Sequence, residues 1–508
     1  MTIVTLLDMA VDGFGERIAV GSKVGGLTVR DLREHAARVA AQFPCDHAHL
    51  VFVEENSTAL PVAFFAASLA GVPFAPLNYR LTDQQLVSLV EQLTPAVVIA
   101  GTENACRIAA PNVKILDPVQ LGSDDATPRS EAATREGGPD DVAVMLFTSG
   151  TTGDPKVALL RQRHLFAYVV NTVEFMGSAT DEALLVSVPP YHIAGVSTIL
   201  SSIYSGRRIV YLAAFDAHLW VRTAASESVT HAMVVPTMLS RILDVLNVLD
   251  SDQVQLPALR HLSYGGGPMP PAMIERALTL LPHVDFVNAY GLTETSSTIS
   301  VLGPEDHRDA FSSDDPSVRR RLGSVGRPLP GIDVEIRGPD QKVLGPDERG
   351  EIYVRGEQVS GEYLGLSLLT DDGWFPTNDA GFFDTDGFLF LEGRLDDLIV
   401  RGAENLSPGE IEEQLSAHPS VKAACVFGVP DVEWGEAVAA VVVVRPGAQV
   451  GEDELRDWVR ARLRSTRTPE FIEFRDELPY NETGKLLRRV LRDELSEIYE
   501  QRAGRAQS

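Results

Sequence analysis

The chain has 508 residues, too many for one hydrophobic core, so several packed units are expected. With 44 basic and 71 acidic residues the net charge is −27, which excludes non-specific binding to nucleic acid or to an anionic membrane and leaves any anionic ligand to local features. Hydrophobic residues at 44% and charged residues at 23% are the proportions of an ordinary soluble globular protein. Cys45, Cys106 and Cys425 are far apart and form no CxxC pair. They predict neither a zinc site nor a disulfide framework, and suit a reducing cytoplasm. Met1-Thr2-Ile3-Val4 lacks the basic start of a secretory signal, and none is expected.

Residues 48–53 read as a buried strand. The uncharged run 59–77 contains Pro61, Gly71, Pro73 and Pro76, so it predicts a buried helix and a turn, with no membrane span. Thr82 and Gln85 have capping-box spacing and open a helix over 84–93. Residues 95–100 form the next expected strand. This alternation of strand and helix predicts a mostly parallel sheet covered by helices. Residues 122–141 are polar and rich in breakers, and read as a loop.

That loop delivers the chain to its most informative stretch. The apolar run 142–147 reads as a strand, followed by Thr148, Ser149, Gly150, Thr151, Thr152, Gly153, Asp154, Pro155 and Lys156. Glycines let backbone N–H groups approach an anion, hydroxyls add donors, and a lysine adds a point charge. The pattern is that of a phosphate-binding loop. It is not a Walker A loop, because Lys156 lies three residues after Gly153 and no Ser or Thr follows it.

A helix is expected near 164–176 and a strand over 184–188, which ends in Pro189-Pro190-Tyr191-His192-Ile193-Ala194-Gly195. A histidine and an aromatic beside a glycine at a strand end often line a pocket; taken alone, His192 reads as a packed structural histidine. Residues 231–236 predict a strand and turn. A further strand runs into Gly265, Gly266, Gly267 and Pro268. In Asn288-Ala289-Tyr290-Gly291-Leu292-Thr293-Glu294-Thr295, a tyrosine can stack on a base and a threonine can bond a phosphate oxygen. A glutamate there can hold Mg²⁺, which takes hard oxygen ligands and bridges to phosphates. Residues 303–322 are charged and read as a mobile loop, and 326–356 as a small antiparallel β-unit. Asp379, in Thr377-Asn378-Asp379, suits a pair of ribose hydroxyls because a carboxylate accepts two hydrogen bonds. Ser407-Pro408-Gly409-Glu410 has the form of a helix start with Ser407 as its cap. Strands near 423–427 and 437–444 and helices near 452–463 and 485–495 complete a small α+β unit. Residues 502–508 are expected to be disordered.

Taken together, these motifs from about 146 to 485 resemble the adenylate-forming superfamily of acyl- and aryl-CoA ligases, adenylation domains and beetle luciferases. The resemblance implies a large N-terminal domain of helix-covered, mostly parallel sheets plus a small β-subdomain (1–393). It also implies a hinge at 394–397 and a small mobile α+β C-terminal domain (398–508). It implies ATP and Mg²⁺ as cofactors, with CoA as co-substrate. Thr148–Thr152, Gly153 and Lys156 would hold the β- and γ-phosphates and Glu294 the magnesium. Thr293 and Lys485 would stabilise the α-phosphate and the attacking oxygen. Gly266, Gly267, Pro268, Asn288, Ala289, Tyr290, Asp379 and Arg394 would position the nucleoside. Asp396 would be the hinge residue. The acid pocket would involve His192, Gly195, Val196, Ser263, Gly265, Thr295 and Ser296, with His192 near the activated carboxylate. No aspartate stands beside Tyr191-His192 to pair with a substrate amine, which disfavours an α-amino acid.

The reaction so implied activates an acid as its AMP anhydride with release of pyrophosphate. The C-terminal domain then rotates about Asp396 and an acceptor displaces AMP. The leading acceptor is the CoA thiol, with an acid of the medium-chain or aryl type. The alternative is transfer to an amine or a carrier protein, or activation of nitrite for diazotisation of an aryl amine. Three positions where the family usually has glycine are occupied otherwise, by Val157, Asn378 and Ala403. The partners implied are a small-molecule acid, ATP and CoA, without nucleic acid or a membrane span.

Overall fold

The structure is a computed structural model, and it describes residues 1–43, 49–108, 111–122, 137–148, 156–248, 256–402, 404–431, 434–480 and 486–506. Two large sheets carry the chain as far as Leu302. In the nine-stranded sheet, Ile18–Val20, Arg208–Tyr211, Ala183–Val186, His231–Val234, His261–Gly265 and Asp285–Leu292 run parallel. Antiparallel Ser297–Leu302 and Arg327–Pro328 extend one edge and Leu27–Thr28 the other. In the eight-stranded sheet, His49–Phe52, Phe74–Pro76, Ala96–Ile99, Val113–Leu116 and Val142–Thr148 run parallel. Lys156–Arg161 returns antiparallel to Val142–Thr148, and the late pair Glu362–Tyr363 and Leu366–Ser367 closes that edge.

One apolar core joins the two sheets. Leu50, Phe52 and Phe74 from the eight-stranded sheet share it with Leu184, Val186 and Ile209 from the nine-stranded one. Helices Ile3–Phe14, Val29–Ala40, Ala59–Ala70, Gln162–Thr172 and Ile193–Ser205 pack into it. Ala59–Ala70 is apolar on every side because all of 59–69 is buried, and it stops at Gly71 in the left-handed region (φ 67°). Among the described residues no helix is long and apolar enough to cross a membrane.

A four-stranded antiparallel sheet follows, from Ile332–Arg337, Gly350–Gly356, Phe375–Phe383 and Leu389–Arg394. A last sheet contains Ile399–Arg401, Glu404–Leu406, Val421–Asp431, Gly435–Val444 and Phe471–Phe474. Its central strands are apolar on both faces. Helices Pro408–Ser416 and Glu452–Arg460 cover one side and Arg488–Ala506 the other.

Four expectations are corrected. Residues 303–322 are not a loop: helices Pro304–Ser312 and Pro316–Arg319 and a 3-10 turn Arg320–Gly323 occupy them. Pro304 stands at the first helical position, Asp306 accepts from Gly303 N, and fully buried His307 bonds Tyr264 Oη at 2.8 Å. Ser407 makes no cap bond to its helix; its hydroxyl donates instead to Glu392 O at 2.7 Å. The tail is helical as far as Ala506. The helices Ile193–Ser205 and Pro236–Val248 fall where the sequence reading placed no element.

Candidate active site

Parallel strands gather whatever follows their carboxyl ends into one crevice, and ligands of open α/β sheets bind there. Four such ends lie side by side. Ala183–Val186 leads to His192, His231–Val234 to Pro236, His261–Gly265 to Gly266 and Gly267, and Asp285–Leu292 to Thr293 and Glu294. The local sequence makes these turns sharp. Gly266 has φ 77°, and a Cβ on Gly291 would stand 1.9 Å from Ser297 O, a contact no side chain survives.

Tyr290 and Asp379 come together across two sheets. Tyr290 Oη donates to Asp379 Oδ2 at 2.6 Å, and Arg394 Nη1 donates to Asp379 Oδ1 at 2.8 Å and to Thr377 O at 3.0 Å. The ladder that pairs Asp379 with Arg394 fixes the second contact. Burial, then the Asp379 charge, pushes the Tyr290 phenol up, so it remains a donor. Each Asp379 oxygen keeps a free lone pair, so ribose hydroxyls can still be accepted.

Glu294 is buried in the 3-10 turn Thr293–Thr295, and the segment 358–363 docks onto that turn. Glu294 O accepts from Ser360 N at 2.8 Å and Gly361 N at 3.1 Å. Gln358 Nε2 donates to Thr295 O and Thr298 O at 3.0 and 2.8 Å. Tyr363 Oη hydrogen-bonds Glu294 Oε1. Burial first, and then the Glu294 charge, raises the Tyr363 phenol. The Tyr363 ring also faces Lys156, whose Nζ is 5.8 Å from its centroid. Because Tyr363 pairs with Ala158, the strand carrying Lys156 and the turn carrying Glu294 are joined through this one residue. Arg161 fixes the junction with a bidentate grip on Glu362 at 2.8 and 2.5 Å. Sequence reading missed Tyr363, Gln358 and Glu362; a lone Tyr after a Gly-Glu pair carries no signal.

Next to this lies a strip of the nine-stranded sheet that the described residues leave partly uncovered. Ala232, Val234, Leu262, Tyr264 and Phe286 are buried under helices, while the alternating positions Met233, Ser263, Val287 and Ala289 remain partly exposed. Met233, Ser263 and Val287 stand in register. His192 caps Ile193–Ser205 beside the strip, its ring 4.8 Å from that of Tyr191. Burial lowers its pKa to about 4, so it is neutral at pH 7. Buried Tyr168 lies near the hydroxyls of Ser197, Ser297 and Thr298. Ser297 Oγ lies 3.3 Å from Ser197 Oγ.

The remaining anticipated residues divide. Thr293 is partly exposed at the turn, and Thr148 donates to Lys156 O at 3.2 Å. Gly195 packs against Pro190, where a Cβ would meet the backbone at 3.1 Å, and Val196 is buried. Gly265 lies flat on Ala289 O, Ser263 Oγ reaches Ala232 O at 3.3 Å, and Pro268 follows the glycine turn. Asn288, Thr295 and Ser296 point their polar groups inward. Asn288 Nδ2 donates to Ser324 O, Thr295 Oγ1 to Leu292 O and Ser297 O, and Ser296 Oγ to Gln358 O. These side chains build the turn. Ser149, Gly150, Thr151, Thr152, Gly153, Lys485 and Ala403 lie outside the described residues.

The set fits a magnesium nucleotide. Glu294 offers one buried carboxylate whose Oε2 has no partner among the described residues, and an ion that arrives with phosphates needs little more. No group of three or more His, Cys, Asp or Glu able to hold a metal occurs among the described residues.

Comparison with known proteins gives the family. The AMP-binding enzyme family matches residues 7–364, and the AMP-binding enzyme C-terminal domain matches 410–485. The chain belongs to the AMP-binding, adenylate-forming enzymes. It is 34% identical over 477 residues to a feruloyl-CoA synthase of Amycolatopsis sp, covering 92% of this chain and 93% of that one. O-succinylbenzoate coenzyme A synthetase (MenE) from Bacillus subtilis, solved with ATP and a magnesium ion, superposes with a TM-score of 0.79 at 28% identity, over 95% and 98% of the two chains. The amide bond synthetase McbA from Marinactinospora thermotolerans superposes at 0.83 and 28% identity, over 97% and 99%. The chain is therefore a member of the adenylate-forming acid–CoA ligase family.

Proposed function

We propose that this enzyme joins CoA to a planar aryl acid through an acyl-adenylate. The observation that carries the adenylation step is the meeting of Tyr290, Asp379 and Arg394 with Glu294, Tyr363 and Lys156 at the carboxyl ends of the parallel strands. In this reading Asp379 and Arg394 hold the ribose, and Tyr290 lies against the base. Lys156 and the loop from Thr148 to Gly153 hold the outer phosphates. Bound Mg²⁺ supplies charge neutralisation on the phosphates, held through Glu294. Thr293 and Lys485 stabilise charge at the α-phosphate and the incoming carboxylate oxygen. In-line displacement of this kind needs positioning and electrostatics more than covalent help. Neutral His192 packs against the acid without competing for its charge.

The strip Met233, Ser263, Val287 and Ala289 favours a flat acid, because alternating positions of a pleated sheet offer a wide, shallow surface. The clustered hydroxyls of Ser197, Ser297 and Tyr168 suit a polar ring substituent. In the thioester step, residues 398–508 turn about Asp396 relative to 1–393, and the thiol passes Gly402. Gly402 has φ 60° and donates to Trp434 O at 2.6 Å.

Pyrophosphate release measured across benzoate, hydroxycinnamate, medium-chain acids and nitrite, each with CoA, with an aryl amine or alone, tests this reading. An aryl acid that gives a thioester with CoA supports it. Amide formation, or release with nitrite, moves the chain to the amine-acceptor reading that the likeness to McbA favours.

A further inference from the structure

Asn378 stands where the family usually has glycine, and the structure gives that change a partner. Its backbone is left-handed (φ 59°), a conformation that asparagine tolerates better than other residues with a side chain. Its amide Nδ2 donates to Asp396 Oδ2 at 2.8 Å, a bond that glycine cannot make. Sheet register brings the pair together. Asp379 pairs with Arg394, so the residue before Asp379 reaches the turn Leu395–Asp397 just past the ladder. Asn378 N is itself held by Glu351 Oε1 at 3.1 Å.

The next carboxylate is held from the other side. Asp397 Oδ2 lies 3.6 Å from Arg488 Nε, at the start of Arg488–Ala506. Arg488 is bound to Glu412 and to Val426 O in the last sheet. Two adjacent residues are therefore gripped by different parts of the chain, Asp396 by the four-stranded sheet and Asp397 by the C-terminal sheet and its helix. A rotation of the backbone at Asp396 leaves the Arg488–Asp397 pair moving as a unit. A turn about the Asp396 N–Cα bond swings its carboxylate away from Asn378, so that part of the rotation breaks the Asn378–Asp396 bond.

We propose that Asn378 is a positioning residue that latches the hinge in this pose and so sets how the enzyme divides its time between adenylation and thioester formation. The inference rests on the domain-rotation reading given above. One hydrogen bond to a carboxylate at an exposed site is worth about a threefold to tenfold change in a two-pose equilibrium.

The test uses the full chain with Cys45→Ser and Cys106→Ser, carrying spin labels at Val343→Cys and Val490→Cys. These positions are 59% and 42% exposed, while Cys425 is fully buried and stays unlabelled. Electron–electron double resonance compares this protein with added Asn378→Gly, which keeps the left-handed backbone, and with Asn378→Asp, which sets two carboxylates against each other. Both are expected to move the interspin distance distribution, and Asn378→Asp should do so less at high salt. The ratio of thioester formation to acid-dependent pyrophosphate release is expected to change about threefold or more in Asn378→Gly. A wild-type distribution in both variants overturns the latch, and so does a shared loss of melting temperature without any shift in distance. If no acid on the panel gives a thioester, the functional reading fails, and the distance measurement still decides the latch.

Discussion

Removing one hydroxyl from Tyr363 separates two accounts of the proposed magnesium site. Tyr363→Phe keeps the ring that faces Lys156 and the backbone pairing with Ala158, and deletes only the bond to Glu294 Oε1. In the proposed site that bond fixes the carboxylate rotamer and leaves Oε2 free for the metal. Hydrogen bonds to charged groups contribute about 1.5–3 kcal/mol when buried, and the half-buried Tyr363 lowers this to about 1–2 kcal/mol. If the bond survives into the transition state, the loss corresponds to about a 5- to 30-fold fall in kcat/KM. The assay is acid-dependent pyrophosphate release titrated with Mg²⁺ at fixed ATP. The expected result is a higher Mg²⁺ requirement and a melting temperature within a few degrees of the wild type. An unchanged Mg²⁺ titration in Tyr363→Phe, with the loss confined to Tyr363→Ala, would refute the orienting role and leave only packing.

Asp379→Asn keeps shape but leaves one acceptor oxygen for two donors, Tyr290 Oη and Arg394 Nη1. It is expected to cost about 1–3 kcal/mol of stability and to raise the KM for ATP more than it lowers kcat, checked by chemical denaturation and initial rates. Unchanged ATP affinity by calorimetry would remove Asp379 from the nucleotide site. Gly291→Ala places a Cβ against Ser297 O, so the expected outcome is a destabilised or insoluble protein; a variant that melts with the wild type would show that the Tyr290–Gly291 bulge is adjustable. His164, His192 and His307 are held neutral by burial, each with a pKa of about 4, and His231 at about 2. Their folded values lie below the unfolded value near 6.5, so the unfolded chain binds more protons in acid. Stability is therefore full above about pH 6.5 and falls as pH drops toward 4, which urea midpoints between pH 7 and 5 would show. A flat profile in that window would contradict the burial of these imidazoles.

Much of this enzyme was legible along the chain, because its chemistry is concentrated in short segments whose composition is costly to hold by accident. The glycines and hydroxyls before Lys156, the run Tyr290–Glu294 and Asp379 are the segments on which the proposed nucleotide site rests. The apolar run 142–147 placed the first of these at the end of a strand. The helix 59–70 and the capping box at Thr82 and Gln85 were readable because a helix's ends and apolar sides are local properties. Tertiary structure alone decided the rest. Residues 303–322 look like a loop from their charge, yet fold as helices because His307 finds Tyr264 from another strand. Ser407 has the sequence of a cap and spends its hydroxyl on Glu392 instead. Thr295 and Ser296 belong to a binding motif, while their hydroxyls hold the turn itself. Tyr363 joins Lys156 to Glu294 only because a two-residue strand from far along the chain adds to the edge of the eight-stranded sheet. Asn378 reads as a mere departure from glycine until the ladder brings Asp396 to its amide. Local sequence sets what a residue can bond to; which partner arrives depends on strand order and register, and those are properties of the whole sheet.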